Sequence, residues 1–133
     1  QLEVGLVPEV WLTGEPGFAG PDAVRAAYVE ALRDPTHVHA ICEEYRAAAT
    51  IDREHDRSDR VNARRIGCPI LVLWSARGTL DTWYGEESGP LTLWRAWGDQ
   101  VQGHALAGGH FFPEEAPELT AEALRRFLGE VSP

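Results

Sequence analysis

The residues best suited to chemistry lie late in the chain, in the run Gly108-Gly109-His110-Phe111-Phe112-Pro113-Glu114-Glu115-Ala116-Pro117. A histidine placed after two glycines and before a helix is presented by a loop. Its ordinary pKa is near neutrality, so the neutral ring can take a proton from water. His110 is therefore the candidate general base. A base of this kind can activate water or serve a nucleophile placed elsewhere in the fold. The chain contains no Gly-x-Ser-x-Gly and no Gly-x-Asp-x-Gly. Pro113-Glu114-Glu115 reads as the start of the last helix, where acids suit the dipole, rather than as chemistry. His37, His39, His55 and His104 lack metal-ligand spacing, and His37 and His39 fall on different faces of a helix. No metal site is expected. Cys42 and Cys68 are too few for a disulfide scaffold and too far apart for a metal pair. They read as buried free thiols of a cytoplasmic protein.

The elements that must carry His110 follow from hydrophobic periodicity. Residues 1–20 are rich in Gly and Pro and read as a loop-rich entry. Pro21-Asp22 opens a helix to about Arg33, with Val24, Ala27, Tyr28, Ala31 and Leu32 at helical spacing. Asp34-Pro35-Thr36 breaks it. Thr36 is the expected cap of a second helix, whose stripe is Val38, Ile41, Cys42, Tyr45 and Ala49. Residues 52–60 are nearly all charged, with mixed signs, and read as a solvated helix end or connector. The unbroken apolar run Pro69 to Ser75 suits a strand buried on both faces, as in a parallel sheet. A short helix over Leu91–Trp97, a weaker strand over Val101–Leu106 and a helix over Pro117–Val131 complete the order α-α-linker-β-α-β-α. Trp74, Trp94 and Trp97 read as packing residues. Two strands do not make an independent sheet, and a parallel pair leaves two open edges. A partner segment is therefore expected, and the open edge and the helices also offer surface for a homodimer.

Composition narrows the classes of function. The 133 residues are 44% hydrophobic, the proportion of an ordinary globular domain. A formal net charge of −9 argues against a nucleic-acid partner, which needs a basic face. No stretch reaches the roughly 18 apolar residues of a membrane span. Every one of the 12 basic residues is Arg, a bias of GC-rich coding rather than a functional signal.

Several strings carry a family resemblance. Glu43-Glu44-Tyr45-Arg46-Ala47-Ala48-Ala49-Thr50-Ile51-Asp52-Arg53-Glu54-His55-Asp56 resembles the cap segment of fluoroacetate and haloacetate dehalogenases, and Leu71 to Gly78 resembles their penultimate strand and turn. Trp94-Arg95-Ala96-Trp97, Asp99, Val101-Gln102-Gly103 and Gly109 to Pro117 are similar to their C-terminal end. The resemblance runs from about Pro21 to the C-terminus. It implies a partial α/β-hydrolase fold: a helical cap segment and linker over residues 1–62, then β-α-β-α of a mainly parallel sheet over residues 63–133.

The implied activity is hydrolytic cleavage of a carbon–halogen bond in a short 2-haloacid, without a cofactor. In that family an Asp displaces halide and forms an ester, and a His activates the water that hydrolyses it. By resemblance His110 is that base and Tyr45 a halide-binding tyrosine, while Arg46 pairs with an acid within the cap. The nucleophile, the halide-binding His and Trp, and the carboxylate that orients the base are expected in a missing N-terminal half, so the chain alone is expected to be inactive. Many other α/β-hydrolases carry that carboxylate just after the penultimate strand. Gly78 stands there, with Asp81 a weak substitute, and this favours the dehalogenase branch. Three alternatives stay open: an epoxide hydrolase using Tyr28 and Tyr45, an esterase, and a non-catalytic domain that self-associates.

Overall fold

The computed structural model describes residues 20–77 and 89–131. The chain divides into two compact units, Gln1–Gly17 with Asp22–Arg64 and Phe18–Pro21 with Arg65–Pro133. Among the described residues the element order is α1 (Asp22–Arg33), α2 (Pro35–Ala49), α3 (Ile51–Val61), β1 (Ile70–Ser75), α4 (Pro90–Arg95), β2 (Val101–Leu106), α5 (Phe112–Glu115) and α6 (Pro117–Val131).

The first unit is helical. The break between α1 and α2 falls at Asp34-Pro35 as expected, but the cap of α2 is Asp34 and not Thr36. The Asp34 carboxylate accepts from the Thr36 N–H at 2.8 Å and from the Thr36 hydroxyl at 2.7 Å. Pro35 takes the first helical position, where no N–H is needed. An acid one residue ahead of the proline thus outcompetes the threonine behind it, because it can meet the free helix N–H groups while the proline sets the entry angle. The Thr36 hydroxyl bond, followed by the Thr36 N–H bond, holds the Asp34 carboxyl below its ordinary pKa of 3.8. A group depressed in the folded state contributes fully above its unfolded pKa and loses that contribution as pH falls through its folded one. The Thr36 amide resonance is therefore expected to hold steady above about pH 4 and to move only on further acidification. A midpoint at or above the ordinary aspartate value would contradict the cap.

The charged stretch, expected as a solvated helix end or connector, lies in a helix of its own, α3, which is exposed along nearly its whole length. Its alternating signs keep every face in water, so it lacks the apolar stripe by which helices are recognised. Cys42 and Cys68 are free but exposed, contrary to the expectation of burial. Cys42 lies on α2, which buries no residue, and Cys68 precedes β1.

In the second unit β1 and β2 pair in parallel, from Ile70 opposite Val101 to Ser75 opposite Leu106. Pairing begins earlier, at a bridge between Ile66 and Gly98. Arg65 holds this beginning in place. Its guanidinium donates to the carbonyls of Ala96 and Arg95, both at 3.0 Å, and to the Asp99 carboxylate at 2.6 Å. The acceptors left open at the end of α4 are thereby satisfied. α4 starts at Gly89, whose φ of 55° suits a residue without a side chain, and the Trp74 ring lies 3.5 Å from where a Cβ would be.

The core of this unit is Val72, Trp74 and Leu106, all buried. The β1 run was expected to be buried on both faces. Val72 and Trp74 are buried, whereas Leu71 and Leu73 on the opposite face are only half-buried. That second face meets α6 across a cleft of about 170 Å³ lined by Leu71, Gln102, His104, Ala123 and Phe127 among others. Gln102 Nε2 crosses to Glu130 at 3.3 Å, and Arg126 binds the same carboxylate at 2.9 Å. The Arg126 bond, then the Gln102 bond, lowers the Glu130 pKa. Ala123 and Phe127 of the α6 stripe face the sheet, while Leu119, Leu124 and Leu128 remain substantially exposed. Trp97 is half-buried, but Trp94, expected to pack, is exposed, since so short a helix covers the sheet with one side only.

Candidate active site

β2 ends at Leu106, and four residues later the chain reaches His110. The imidazole is exposed, edge-on to the Phe111 ring with centroids 5.0 Å apart. It makes no hydrogen bond among the described residues, so it is open to a substrate from solvent.

The backbone behind it is tightly held. Gly108 and Gly109 are both buried. Their shared peptide group is gripped at both poles. The Gly108 carbonyl accepts from the Ser75 hydroxyl at 2.7 Å and more weakly from Arg77 Nε at 3.4 Å. The Gly109 N–H donates to Glu115 Oε2 at 2.6 Å. Ser75 is itself buried, and its oxygen accepts from the Arg77 N–H at 3.1 Å. The end of β1 is thus tied directly to the histidine loop, through a serine, across 33 positions of sequence.

Removing the Ser75 hydroxyl strips the Gly108 carbonyl of its short bond and leaves the Arg77 N–H unmet. Ser75→Ala is expected to destabilise the fold by about 1–3 kcal/mol, read from the urea midpoint. A change below about 0.5 kcal/mol, the range of neutral surface substitutions, would mean that water replaces the hydroxyl freely.

Glu115 was expected in the start of the last helix, where acids suit the dipole. The structure separates it from that helix. Phe112–Glu115 is a helix of one turn, and α6 begins afresh at Pro117. The Glu115 side chain turns inward, 6% exposed, beneath the loop. Sequence reasoning missed this role. The signal for it was the glycine pair, since two adjacent residues without side chains leave space that another group has to fill.

Tyr45, the other candidate, lies on α2 and is 71% exposed. Its neighbour Arg46 bonds Glu43, as expected of an ion pair within the helical segment. Tyr45 and His110 belong to different units. Gly78 and Asp81 lie outside the described residues. Among the described residues no group of three or more His, Cys, Asp or Glu side chains is arranged to hold a metal ion. No helix among them is long and apolar enough to cross a membrane.

A parallel strand pair whose second member leads into a glycine-held histidine loop and a closing helix is the end of an α/β-hydrolase sheet. The chain carries part of the α/β-hydrolase fold. A protein described as an epoxide hydrolase from Pseudomonas aeruginosa matches 96% of this chain with a TM-score of 0.78 and 35% identity, over 43% of its own length. An α/β hydrolase from Nostoc sp. matches 92% with a TM-score of 0.67 and 36% identity, over 45% of its own length. In sequence the chain is similar to the fluoroacetate dehalogenase of Burkholderia sp., 34% identical over 118 residues. That match covers 89% of this chain and 36% of the relative, so the chain spans little more than a third of it. No protein-family model matches.

Proposed function

We propose that this chain is the base-bearing part of a haloacetate-dehalogenase-like hydrolase. The observation that carries the proposal is His110 itself: an exposed imidazole on a loop whose backbone is held at both poles of one peptide group. Similarity to fluoroacetate dehalogenase over 89% of the chain supports the choice of reaction.

The reaction divides into two steps. A carboxylate nucleophile, supplied from outside this chain, attacks the carbon bearing the halogen. The carbon–oxygen bond forms as the carbon–halogen bond breaks, and halide leaves with the electron pair. His110 then takes a proton from water as the hydroxide attacks the ester carbonyl. The ester breaks to give the 2-hydroxyacid and the free carboxylate, and His110 returns its proton to solvent. Tyr45 is the halide ligand, because a phenol O–H is a strong donor to a departing fluoride. Residues 1–62 form the cap and linker and residues 63–133 the core. Water and side chains suffice for every step.

A second reading, epoxide hydrolysis, is favoured by the likeness to the Pseudomonas aeruginosa protein. There Tyr28 and Tyr45 would donate to the epoxide oxygen.

The test begins with the coding sequence upstream of Gln1, followed by expression of the whole reading frame. A Gly-x-Asp-x-Gly turn and fluoride release from fluoroacetate by the whole product, with none by residues 1–133 alone, is the expected result. A Ser in that turn converts the reading to esterase. Epoxide opening without halide release converts it to epoxide hydrolase. Sustained fluoride release by the 133-residue chain alone overturns the dependence on an outside nucleophile.

A further inference from the structure

Glu115 is a carboxylate that helix capping does not explain. It stands at the last position of the one-turn α5. Its carboxylate is directed to Gly109, away from the first turn of α6. Burying a carboxylate is costly unless its oxygens are well bonded. Oε2 has a short bond, to the Gly109 N–H. The nearest cation, Arg77 Nη2, is 3.8 Å away on a side chain that is 70% exposed. Oε1 is buried with no hydrogen-bond partner among the described residues. The position therefore centres on the Gly109 N–H, to which a charged acceptor gives a bond roughly twice as strong as a neutral one.

The packing agrees with the bonding. A Cβ on Gly109 would lie 2.9 and 3.1 Å from the two Glu115 oxygens, and one on Gly108 would lie 2.7 Å from Phe112 Cβ. The carboxylate occupies the space that the glycine pair leaves. Ser75 and Arg77 hold the carbonyl pole of the same peptide group from the other side. With that plane fixed, the path to the His110 side chain has few free torsions. Without Glu115, Gly109 regains the wide conformational range of glycine, immediately before the base.

We propose that Glu115 is a positioning residue for His110, its buried carboxylate fixing the Gly109 peptide and so the place at which the imidazole stands. The inference rests on the proposed role of His110 as base. Glu115 is bonded to the Gly109 peptide rather than to the ring, so its loss acts on the geometry of the loop. A displacement of about 1 Å at a reacting group costs on the order of a hundredfold in rate.

Two readouts test it. In the full chain, amide exchange is followed by NMR for Gly109, with Val72 in the strand core as the reference. Glu115→Ala is expected to speed Gly109 exchange by roughly tenfold or more while Val72 stays protected. Glu115→Gln, whose amide oxygen accepts the same N–H, is expected to keep most of the protection. Unchanged Gly109 exchange in a folded Glu115→Ala chain overturns the proposal. Where the alanine variant does not fold, the glutamine variant decides: retained Gly109 protection supports the clamp. Its loss, or failure of that variant to fold, overturns it.

The second readout is fluoride release by the whole enzyme. Glu115→Ala is expected to lower kcat by about ten- to a hundredfold, with KM and the midpoint of the pH–rate profile unchanged and with rescue by Gln. A shifted profile or no loss of kcat overturns the positioning role. Absence of fluoride release from the unsubstituted enzyme would instead end the dehalogenase reading, and the amide result would still decide whether Glu115 holds the loop.

Discussion

A His110→Gln enzyme is expected to release about one halide per active site and then stall. The displacement step needs a carboxylate and a halide pocket but no base. Hydrolysis of the resulting ester does need one, and water is too weak a nucleophile to replace it. Removal of a general base typically costs 10²–10⁴-fold in rate, and the whole loss should fall on the second step. A burst of fluoride, followed by an intact protein heavier by the bound carboxymethyl group, is the measurement that reports it. The His110 ring is exposed and makes no hydrogen bond among the described residues, so the urea midpoint should move by less than about 0.5 kcal/mol. Steady turnover within tenfold of the unsubstituted enzyme would remove His110 from the mechanism. Equal loss of the burst and of turnover would place it in the first step instead.

The largest stability effect is expected at Gly103, in the middle of β2. A Cβ there would lie 1.9 Å from the Val72 carbonyl oxygen and 2.8 Å from its carbon. Both atoms are backbone of the paired strand, opposite Gly103 in the register, and neither can rotate away. Gly103→Ala must therefore push the strands apart at the centre of the pair, beside the buried Val72. Overpacking of this kind costs about 1–3 kcal/mol and more where backbone must move. Gly129 provides the contrast. It lies within α6, and nothing stands within 4 Å of its absent Cβ. Gly129→Ala is expected to stabilise by about 0.5–1 kcal/mol, because alanine loses less freedom than glycine on entering a helix. Urea unfolding of the two variants side by side separates space from helix propensity. A neutral Gly103→Ala would mean that the strands are not paired in this register.

The elements legible in the sequence were those with a strong period and a clear boundary. α1 begins where Pro21-Asp22 announced it, and α6 occupies the residues that its pattern marked, while β2 matches its expected residues although its pattern was the weaker one. α3 was hidden because a helix wet on all sides has no apolar stripe, and only its mixed charge hinted at it. The Asp34 cap was misread by two positions because aspartate and threonine both cap helices, and the choice depends on which side of Pro35 the acceptor stands. At the candidate site His110 was legible from its glycine-rich setting. What holds it was not. Ser75 acts across 33 positions, and the inward turn of Glu115 depends on a break between α5 and α6 that local pattern smooths over. Tyr45, read as a ligand from its sequence context, is an exposed phenol on its helix.

The contacts of Arg65 bear on how this protein tolerates change. One planar side chain meets two carbonyls in succession and a carboxylate beside them, all within 3.0 Å. Lysine offers a single ammonium on a flexible stem, which cannot span three separated acceptors in one plane. The chain has no lysine, all 12 of its basic residues being arginine. At Arg65 the exchange is not conservative. A codon change that elsewhere passes unnoticed would here untie the end of α4 from the first bridge of the sheet, so charge preserved is not structure preserved.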